Sequence, residues 1–280
     1  MHYTTLISPA DVARHLGDAR WVVCDCRHDL GDVQLGRREY REAHIPGARF
    51  LHLDDDLSGP RNGRNGRHPL PDPQALAIRL GECGIGNDTQ VVAYDASGGC
   101  YAARLWWLLR WLGHAHVAVI DGGWQAWVRS GHATTAEVRP ARPAQFVPRL
   151  QAQLAVDAAF VLRHLDTTEA CVVDARSPDR FRGENETLDP VGGHIPGATN
   201  RFFRDNLDAS GQFKPADRLR QELQQVLGAR APAQVIHQCG SGVTACHNLL
   251  AMEHAGLAGS RLYPGSWSEW ISDPARPVAR

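Results

Sequence analysis

One cysteine in this sequence stands between a strand-like run and a helix-like run, inside a glycine-rich loop. It is Cys239, which opens the segment Cys-Gly-Ser-Gly-Val-Thr-Ala (239–245) shortly after the run 234–237. A loop at a helix start directs backbone N–H groups and the positive end of the helix dipole toward one point, which stabilises a thiolate. The alternative is a buried, inert cysteine, but two glycines and a serine do not suit a packed strand. The sequence therefore predicts that Cys239 is a nucleophile.

The same loop supplies the other candidate catalytic residues. They are Gly240, Ser241, Gly242, Val243 and Thr244. Their backbone N–H groups form a cradle that suits an anion. The hydroxyl of Ser241, two residues after the cysteine, can donate to the thiolate or polarise a substrate carbonyl. Thr244 has a second interpretation, as a residue that helps to cap the following helix.

Length and composition limit what surrounds this loop. A chain of 280 residues, 43% of them hydrophobic, is long enough for two domains. The formal net charge of −1 predicts neither nucleic acid nor a membrane surface as a partner. The start lacks a secretory pattern and no apolar run is long enough to span a bilayer, so we expect a soluble protein that is not exported.

The cysteines indicate a reducing compartment and no metal. Seven cysteines are an odd number and are scattered along the chain, unlike the dense, even sets of disulfide-rich secreted domains. We therefore expect a cytoplasmic protein. Cys24 and Cys26 are separated by one residue, and no second cysteine pair completes the four ligands of a structural zinc site.

An internal repeat defines the organisation of the chain. The pentapeptide His-Ile-Pro-Gly-Ala occurs at 44–48 and again at 194–198. Two further pairs of segments repeat in the same order, 21–27 with 171–176 and 121–127 with 264–270. The two copies are about 130 residues each.

Each copy alternates strand-like and helix-like segments, which predicts an α/β fold with a mainly parallel sheet covered by helices on both faces. We expect domains at 1–135 and 154–280, joined by a proline-containing linker at 136–153. Overlaying the copies places Asp95 opposite Cys239, so the first domain is predicted to be inactive and the second catalytic. The predicted strands are 21–24, 90–94, 171–173 and 234–237, and the predicted helices are 73–81, 101–112, 157–165, 216–227 and 244–255.

A charged pair ends the first repeated strand of each copy. Asp25 is followed closely by Arg27, and Asp174 by Arg176. Because the pair is duplicated, we interpret it as an ion pair that holds the repeat together. Trp124 and Trp267, which also recur, are predicted to share a structural role.

Together these features resemble the tandem-domain rhodaneses, a family of sulfurtransferases, over nearly the whole chain. The resemblance implies that the Cys239 thiolate takes a sulfane sulfur from a small donor, forms a persulfide and passes the outer sulfur to a thiophilic acceptor, without a cofactor. The uncharged Cys-Gly-Ser-Gly segment is similar to that of 3-mercaptopyruvate sulfurtransferases. Family members that prefer thiosulfate are similar to one another in having Cys-Arg-Lys-Gly in this loop instead. The resemblance therefore favours 3-mercaptopyruvate as the donor.

The resemblance also implies substrate-binding residues. Arg180 matches the family's substrate-binding arginine, and bidentate carboxylate recognition is typical of arginine. The alternative for Arg180 is a surface ion pair. Asp54 and His68 resemble residues that close the cleft opposite the loop, although His68 fits a solvent-exposed loop histidine equally well.

One segment departs from the family pattern. Mercaptopyruvate sulfurtransferases resemble one another in having a second arginine some nine residues after the first. This chain has Asp189 near that position instead. The acidic segment 184–190 weakens the case for a carboxylate donor and keeps thiosulfate as a competitor. The sequence assigns no role to Arg182.

Two other classes of function use a similar cysteine loop. Phosphatases place an arginine six residues after the cysteine, to clamp phosphoryl oxygens, and this chain has Ala245 there. A non-enzymatic persulfide carrier or docking module is the second alternative. The acceptor is left open among cyanide, a thiol and reduced thioredoxin, and we expect a monomer.

Overall fold

The structure is a computed structural model that describes residues 2–165 and 167–280. It divides into two compact units. The first unit extends to Gly59 and also contains residues 71–151 and 209–212. The second unit consists of residues 60–70, 152–208 and 213–280. The segment 60–70, which lies in the first repeat of the sequence, is therefore part of the unit that contains Cys239.

The first unit is built on a five-stranded parallel sheet. The strand order is β1-β5-β4-β2-β3, and every pairing within it is parallel. Its elements are β1 (Leu6–Ile7), α1 (Pro9–Arg14), β2 (Trp21–Asp25), α2 (Leu35–Glu42), β3 (Arg49–Phe50), α3 (Pro73–Glu82), β4 (Gln90–Tyr94), α4 (Ala102–Trp111), β5 (Val117–Ile120) and α5 (Gly123–Arg129).

The second unit repeats this plan with four parallel strands. The order is β7-β6-β8-β9, so β8 is internal. Its elements are α6 (Ala158–Arg163), β6 (Cys171–Asp174), α7 (Pro178–Phe181), β7 (Thr199–Asn200), α8 (Ala216–Leu227), β8 (Val235–Gln238), α9 (Thr244–His254), β9 (Arg261–Leu262) and α10 (Ser266–Trp270), with 3₁₀ turns at Ala152–Leu154, Phe203–Asn206 and Pro232–Gln234. The predicted tandem α/β fold is confirmed.

The central strands and the helices that follow them are buried. All residues of β4 and of β8 are buried, as expected for strands with neighbours on both edges of a parallel sheet. Helix α9 is buried at every position from Ala245 to Met252. A helix that is buried on all sides lies inside a domain, so the loop between β8 and α9 is held at both ends by buried elements.

The duplicated charged pair connects three elements in each unit. In the second unit, Arg176 Nη2 donates to Asp174 at 2.6 Å and to the carbonyl of Gly193 at 2.7 Å, and its guanidinium lies 4.6 Å from the Trp267 ring centroid. Asp174 and Arg176 have side chains that are 0% and 1% exposed. The prediction of a structural ion pair is confirmed.

The first unit repeats this arrangement. Arg27 Nη2 donates to Asp25 at 2.6 Å and to the carbonyl of Ala43 at 2.7 Å, and its guanidinium lies 4.5 Å from the Trp124 ring centroid. The predicted shared role of the two tryptophans is therefore confirmed, because each covers the arginine of a buried pair.

The segment predicted to be a linker follows the surface of the first unit. The N–H of Ala144 donates to Gly81 at 2.9 Å, and the N–H of Arg149 donates to Leu112 at 2.8 Å. Residues up to 151 group with the first unit. In the described parts of the chain, no helix is long and apolar enough to cross a membrane.

Replacing one partner of the buried pair tests its contribution to stability. We expect Arg176→Ala to lower the free energy of unfolding by about 3 kcal/mol, because it leaves the Asp174 carboxylate buried and uncompensated. Arg182→Ala is the matched control, because the Arg182–Glu184 pair is exposed and its loss should leave the free energy of unfolding nearly unchanged. Urea titrations followed by tryptophan fluorescence measure both losses, and equal losses would contradict the structural role.

Candidate active site

Cys239 directly follows β8, and α9 begins five residues later at Thr244. The thiol is buried, with 2% of the residue exposed. The N–H of Gly242 donates to Cys239 Sγ at 3.2 Å. The loop thus folds back so that a backbone N–H group faces the sulfur, as the sequence predicts for a cradle that suits an anion.

Two features of the loop explain its sequence. Gly242 has φ of +77°, and a Cβ there would lie 2.3 Å from the carbonyl oxygen of Pro264, so only glycine fits. Val243 occupies the cap position of α9, and Thr244 is the first helical residue. The interpretation of Thr244 as the helix cap is therefore wrong.

The first unit shows how the same loop holds an anion. Asp95 follows β4, and its buried carboxylate accepts hydrogen bonds from the N–H groups of Ser97 (2.7 Å), Gly99 (2.8 Å), Tyr101 (2.8 Å) and Ala102 (2.9 Å). Burial raises the pKa of Asp95, and the four donors oppose that rise. A strand end followed by this kind of turn is thus a cradle for negative charge.

A second loop, before and at the start of α10, fixes the backbone of the cysteine loop. The N–H of Trp267 donates to the Cys239 carbonyl at 3.0 Å, and the N–H of Ser268 donates to the Gly240 carbonyl at 2.9 Å. The N–H of Cys239 in turn donates to Ser266 Oγ at 3.1 Å. Hydrogen bonds therefore hold Cys239 through both its N–H and its carbonyl group.

Ser266 is a site residue that the sequence analysis missed. It has φ of +54°, and among the residues that the structure describes it is the one non-glycine with positive φ. The matching residue of the first unit is Gly123, with φ of +53°. A serine at this angle is strained, and its hydroxyl is the acceptor for the Cys239 N–H. Aligning 121–127 with 264–270 places Gly123 opposite Ser266, and this glycine-to-serine difference was the available signal.

The segment 60–70 brings His68 to the cysteine loop. His68 Nδ1 lies 2.7 Å from Ser241 Oγ, and the two residues are 4% and 7% exposed. The N–H of Arg67 donates to Ser268 Oγ at 3.0 Å, which anchors the segment beside α10. The interpretation of His68 as a solvent-exposed histidine is therefore wrong, and Ser241 is hydrogen-bonded to an imidazole.

Two arginines meet over Gly240. A Cβ built on Gly240 would lie 2.8 Å from Arg67 Nη2 and 3.5 Å from Arg180 Nη2. Arg180 makes a two-pronged contact with Glu186, with Nη2–Oε1 at 2.8 Å and Nε–Oε2 at 3.0 Å. Arg67 pairs with Asp189. Arg180 is thus ion-paired with a buried carboxylate beside Gly240, its own side chain is 19% exposed, and its role in donor binding stays a prediction.

The pKa values of Glu186 and Asp189 are shifted in opposite directions in this site. Burial pushes the pKa of Glu186 upward, but the hydrogen bonds from Arg180 and from the Leu188 N–H outweigh it and lower that pKa. Burial raises the pKa of Asp189, and the charges of Arg67 and Arg180 only partly oppose the rise.

Asp54 lies in the first unit. Its carboxylate is 3.9 Å from His28 Nε2, and its N–H donates to His52 Nδ1 at 3.2 Å. The ligand atoms of Asp54, His28 and His52 lie within 4.8 Å of one another. However, His52 Nε2 is 2.7 Å from the Val33 carbonyl, so it donates while Nδ1 accepts, and neither nitrogen offers a lone pair to a metal. The expectation of no metal site stays a prediction, as does the role of Asp54.

Known proteins share both the sequence and the architecture. The family model described as "Rhodanese-like domain" matches residues 8–130 and 157–273. The chain belongs to the rhodanese-like family. The predicted family resemblance is therefore confirmed, with the family domain matched twice along the chain.

Relatives within the family carry sulfurtransferase names. A Pseudomonas aeruginosa protein named "Probable 3-mercaptopyruvate sulfurtransferase" is 47% identical over 281 residues, covering 100% of this chain and 99% of the relative. The thiosulfate sulfurtransferase of Mus musculus is 37% identical, covering 85% of this chain and 81% of the relative. The crystal structure of the Escherichia coli 3-mercaptopyruvate sulfurtransferase SseA superposes with a TM-score of 0.83 at 29% identity, covering 95% and 99% of the two chains.

Two substitutions at Ser266 separate strain from hydrogen bonding. Ser266→Ala removes the acceptor and keeps a Cβ at positive φ, whereas Ser266→Gly removes the acceptor and frees the backbone. We expect the glycine variant to be more stable than the alanine variant by about 1 kcal/mol. Urea unfolding measures the difference, and two equally stable variants would show that residue 266 is not strained.

Proposed function

We propose that this protein is a sulfurtransferase that moves a sulfane sulfur from 3-mercaptopyruvate, through a persulfide on Cys239, to a thiophilic acceptor. The observation that carries the proposal is the buried Cys239 Sγ at the start of α9, facing the Gly242 N–H. The Asp95 carboxylate, held by four N–H groups in the matching loop, supports the view that such a turn accommodates an anion.

The first half-reaction balances without a cofactor. The Cys239 thiolate attacks the donor sulfur, an S–S bond forms, and the C–S bond breaks with its electron pair on the three-carbon fragment. That fragment is the enolate of pyruvate, and the proton of the mercapto group ends on its methyl carbon. The products are pyruvate and the persulfide anion. An acceptor then attacks the outer sulfur and restores the thiolate, which makes ping-pong kinetics the expectation.

Ser241 and His68 are suited to stabilise the negative charge that develops during this C–S cleavage. Negative charge develops on the carbonyl oxygen of the donor as the enolate forms, and a hydroxyl donor stabilises it. His68, 2.7 Å from Ser241 Oγ, orients that hydroxyl and provides a proton relay. In this proposal Arg180, which lies beside Gly240, binds the donor carboxylate.

Thiosulfate is the second candidate donor. It is favoured by the identity to the mouse thiosulfate sulfurtransferase and by the two guanidinium groups near Gly240, which suit a dianion. Its S–S cleavage releases sulfite, a stable anion that needs no proton. The two donors therefore place different demands on Ser241 and His68.

Several further points belong to the same proposal. The acceptor is cyanide or a thiol, with reduced thioredoxin as a protein candidate, and the chain acts as a monomer. The cytoplasm is its compartment, which is supported by seven cysteines that are scattered along the chain and buried. The first domain, 1–135, is inactive, the linker is 136–153, and the catalytic domain is 154–280.

A donor comparison tests the function. We expect kcat/KM with cyanide as acceptor to be higher for 3-mercaptopyruvate than for thiosulfate, because the loop after Cys239 is uncharged. Cys239→Ser is the blank and should abolish transfer while leaving the fold intact. A thiosulfate preference would support the second candidate, and turnover by the serine variant would refute the mechanism.

Replacing Ser241 tests its role in C–S cleavage. We expect Ser241→Ala to lower kcat with 3-mercaptopyruvate by about 100-fold, because the developing enolate loses a hydrogen-bond donor. The same variant should lose less than about 10-fold with thiosulfate, whose leaving group is already a stable anion. His68→Ala should act through the same hydroxyl, so the double variant should lose no more than either single one. Equal losses with both donors would contradict this role.

A further inference from the structure

The first unit contains a cavity of about 360 Å³ that is lined by arginines. This volume lies within the usual range of small-molecule sites, about 300 to 1,000 Å³. The walls come mainly from α2, β3, α3 and the segment 138–141. The charged lining residues are Arg37, Arg41, Arg49, Arg79, Arg139, Asp56 and Glu82. Guanidinium groups therefore outnumber carboxylates around this cavity.

Three of the five arginines have carboxylate partners. The ion pairs are Arg37–Asp55 at 3.0 Å, Arg79–Asp56 at 2.6 Å, Arg79–Glu82 at 3.5 Å and Arg139–Glu137 at 2.9 Å. Arg41 and Arg49 differ, because no carboxylate of the described residues lies within 4.0 Å of either guanidinium. The carboxylates thus leave part of the positive charge of the cavity uncompensated.

Arg49, on β3, is held in place without losing its charge. Its Nη1 donates to the carbonyl of Arg139, and its Nη2 lies 3.5 Å from the carbonyl oxygen of Pro140. A guanidinium has five N–H donors, so others remain for a ligand. Because the side chain is already fixed, it loses little conformational freedom when a ligand binds.

The charge of Arg49 also reaches the buried wall of the cavity. Cys83 lines this wall and is 4% exposed. Burial raises the pKa of the Cys83 thiol, and the charges of Arg79 and Arg49 oppose that rise. An anion placed in the cavity would therefore experience the same positive charges.

Two aromatic residues add an apolar wall. Tyr40 and Phe50 line the cavity, and their ring centroids are 5.5 Å apart. The Arg37 guanidinium lies 5.3 Å from the Phe50 ring centroid. Val138 and Ala141 extend the apolar surface. The lining thus combines guanidinium groups, which match the oxygens of a phosphate, with rings that suit a planar ligand.

We infer that this cavity binds a phosphate ester of a small aromatic molecule, of about the size of a nucleoside monophosphate. The phosphate accepts hydrogen bonds from Arg49 and Arg41, and the planar ring lies against Phe50. A phosphate monoester suits two guanidinium groups, because it carries nearly two negative charges at neutral pH and three acceptor oxygens. The inference goes beyond the proposed function, since sulfur transfer assigns no role to these residues.

Calorimetric titration with adenosine 5′-monophosphate tests the inference, and adenosine and inorganic phosphate serve as the two partial ligands. We expect saturable binding of the monophosphate to the wild-type protein with a Kd below about 1 mM. Each partial ligand should bind at least about 10-fold more weakly, because it lacks either the charged or the planar group. Added salt should weaken the binding of the monophosphate, because it screens the arginines.

Three variants connect the binding to the cavity. Arg49→Ala and Arg41→Glu should each weaken the binding of the monophosphate by about 10-fold or more. Arg20→Ala is the control, because the Arg20 side chain is 84% exposed and does not line the cavity. If Arg49→Ala disturbs the segment 138–141, Arg41→Glu provides the same comparison. Sulfur transfer through Cys239 should be unchanged in all three variants.

The outcomes decide the inference without reference to sulfur transfer. Adenosine monophosphate that does not bind up to about 5 mM, or that binds Arg49→Ala and Arg41→Glu like the wild type, would overturn it. Adenosine or inorganic phosphate that binds as tightly as the monophosphate would also overturn it, since the ligand would then need only one of its two parts. Binding that both cavity variants weaken and Arg20→Ala retains supports the inference.

Discussion

Negative charge at the end of a buried parallel strand is the constraint on which the rest of this structure depends. In each unit the chain turns after this strand and enters a helix, so that backbone N–H groups of the turn face the end of the strand. In the first unit a carboxylate occupies that place permanently, with four donors around Asp95. In the second unit the place belongs to Cys239 Sγ, the group that we propose gains and loses a sulfur atom. The two units thus contain the same kind of turn, which holds the Asp95 carboxylate in the first unit and the Cys239 thiol in the second.

The surroundings of the reactive cradle follow from that difference. A permanent anion needs only its backbone donors, so Gly123 is sufficient behind Asp95. A reactive sulfur must be aimed, and the strained Ser266 holds the Cys239 N–H for this purpose. The segment 60–70 then supplies an imidazole and a guanidinium to the loop, at His68 and Arg67. The surroundings of Cys239 are therefore built partly from residues of the first repeat of the sequence.

Local sequence patterns predicted the elements that are long and periodic. Strand β4 and helix α8 have the predicted bounds, because continuous apolar runs and helical periodicity define them. Helix α2 was missed, since Leu35–Glu42 is mostly charged and buries only Gly36 and Tyr40. Cys239 and its loop were identified from local residues alone. The position of Arg67 was not, because its pairing with Asp189 spans 122 residues and leaves no local pattern.

The most direct test of the central claim is the mass of the Cys239 peptide after the protein is treated with one equivalent of 3-mercaptopyruvate in the absence of an acceptor. The account predicts a peptide heavier by one sulfur atom, with one equivalent of pyruvate released, and the loss of that sulfur when cyanide is added. The Cys239→Ser protein should show neither change. Pyruvate release without added sulfur on Cys239, or sulfur on another cysteine, would contradict the account.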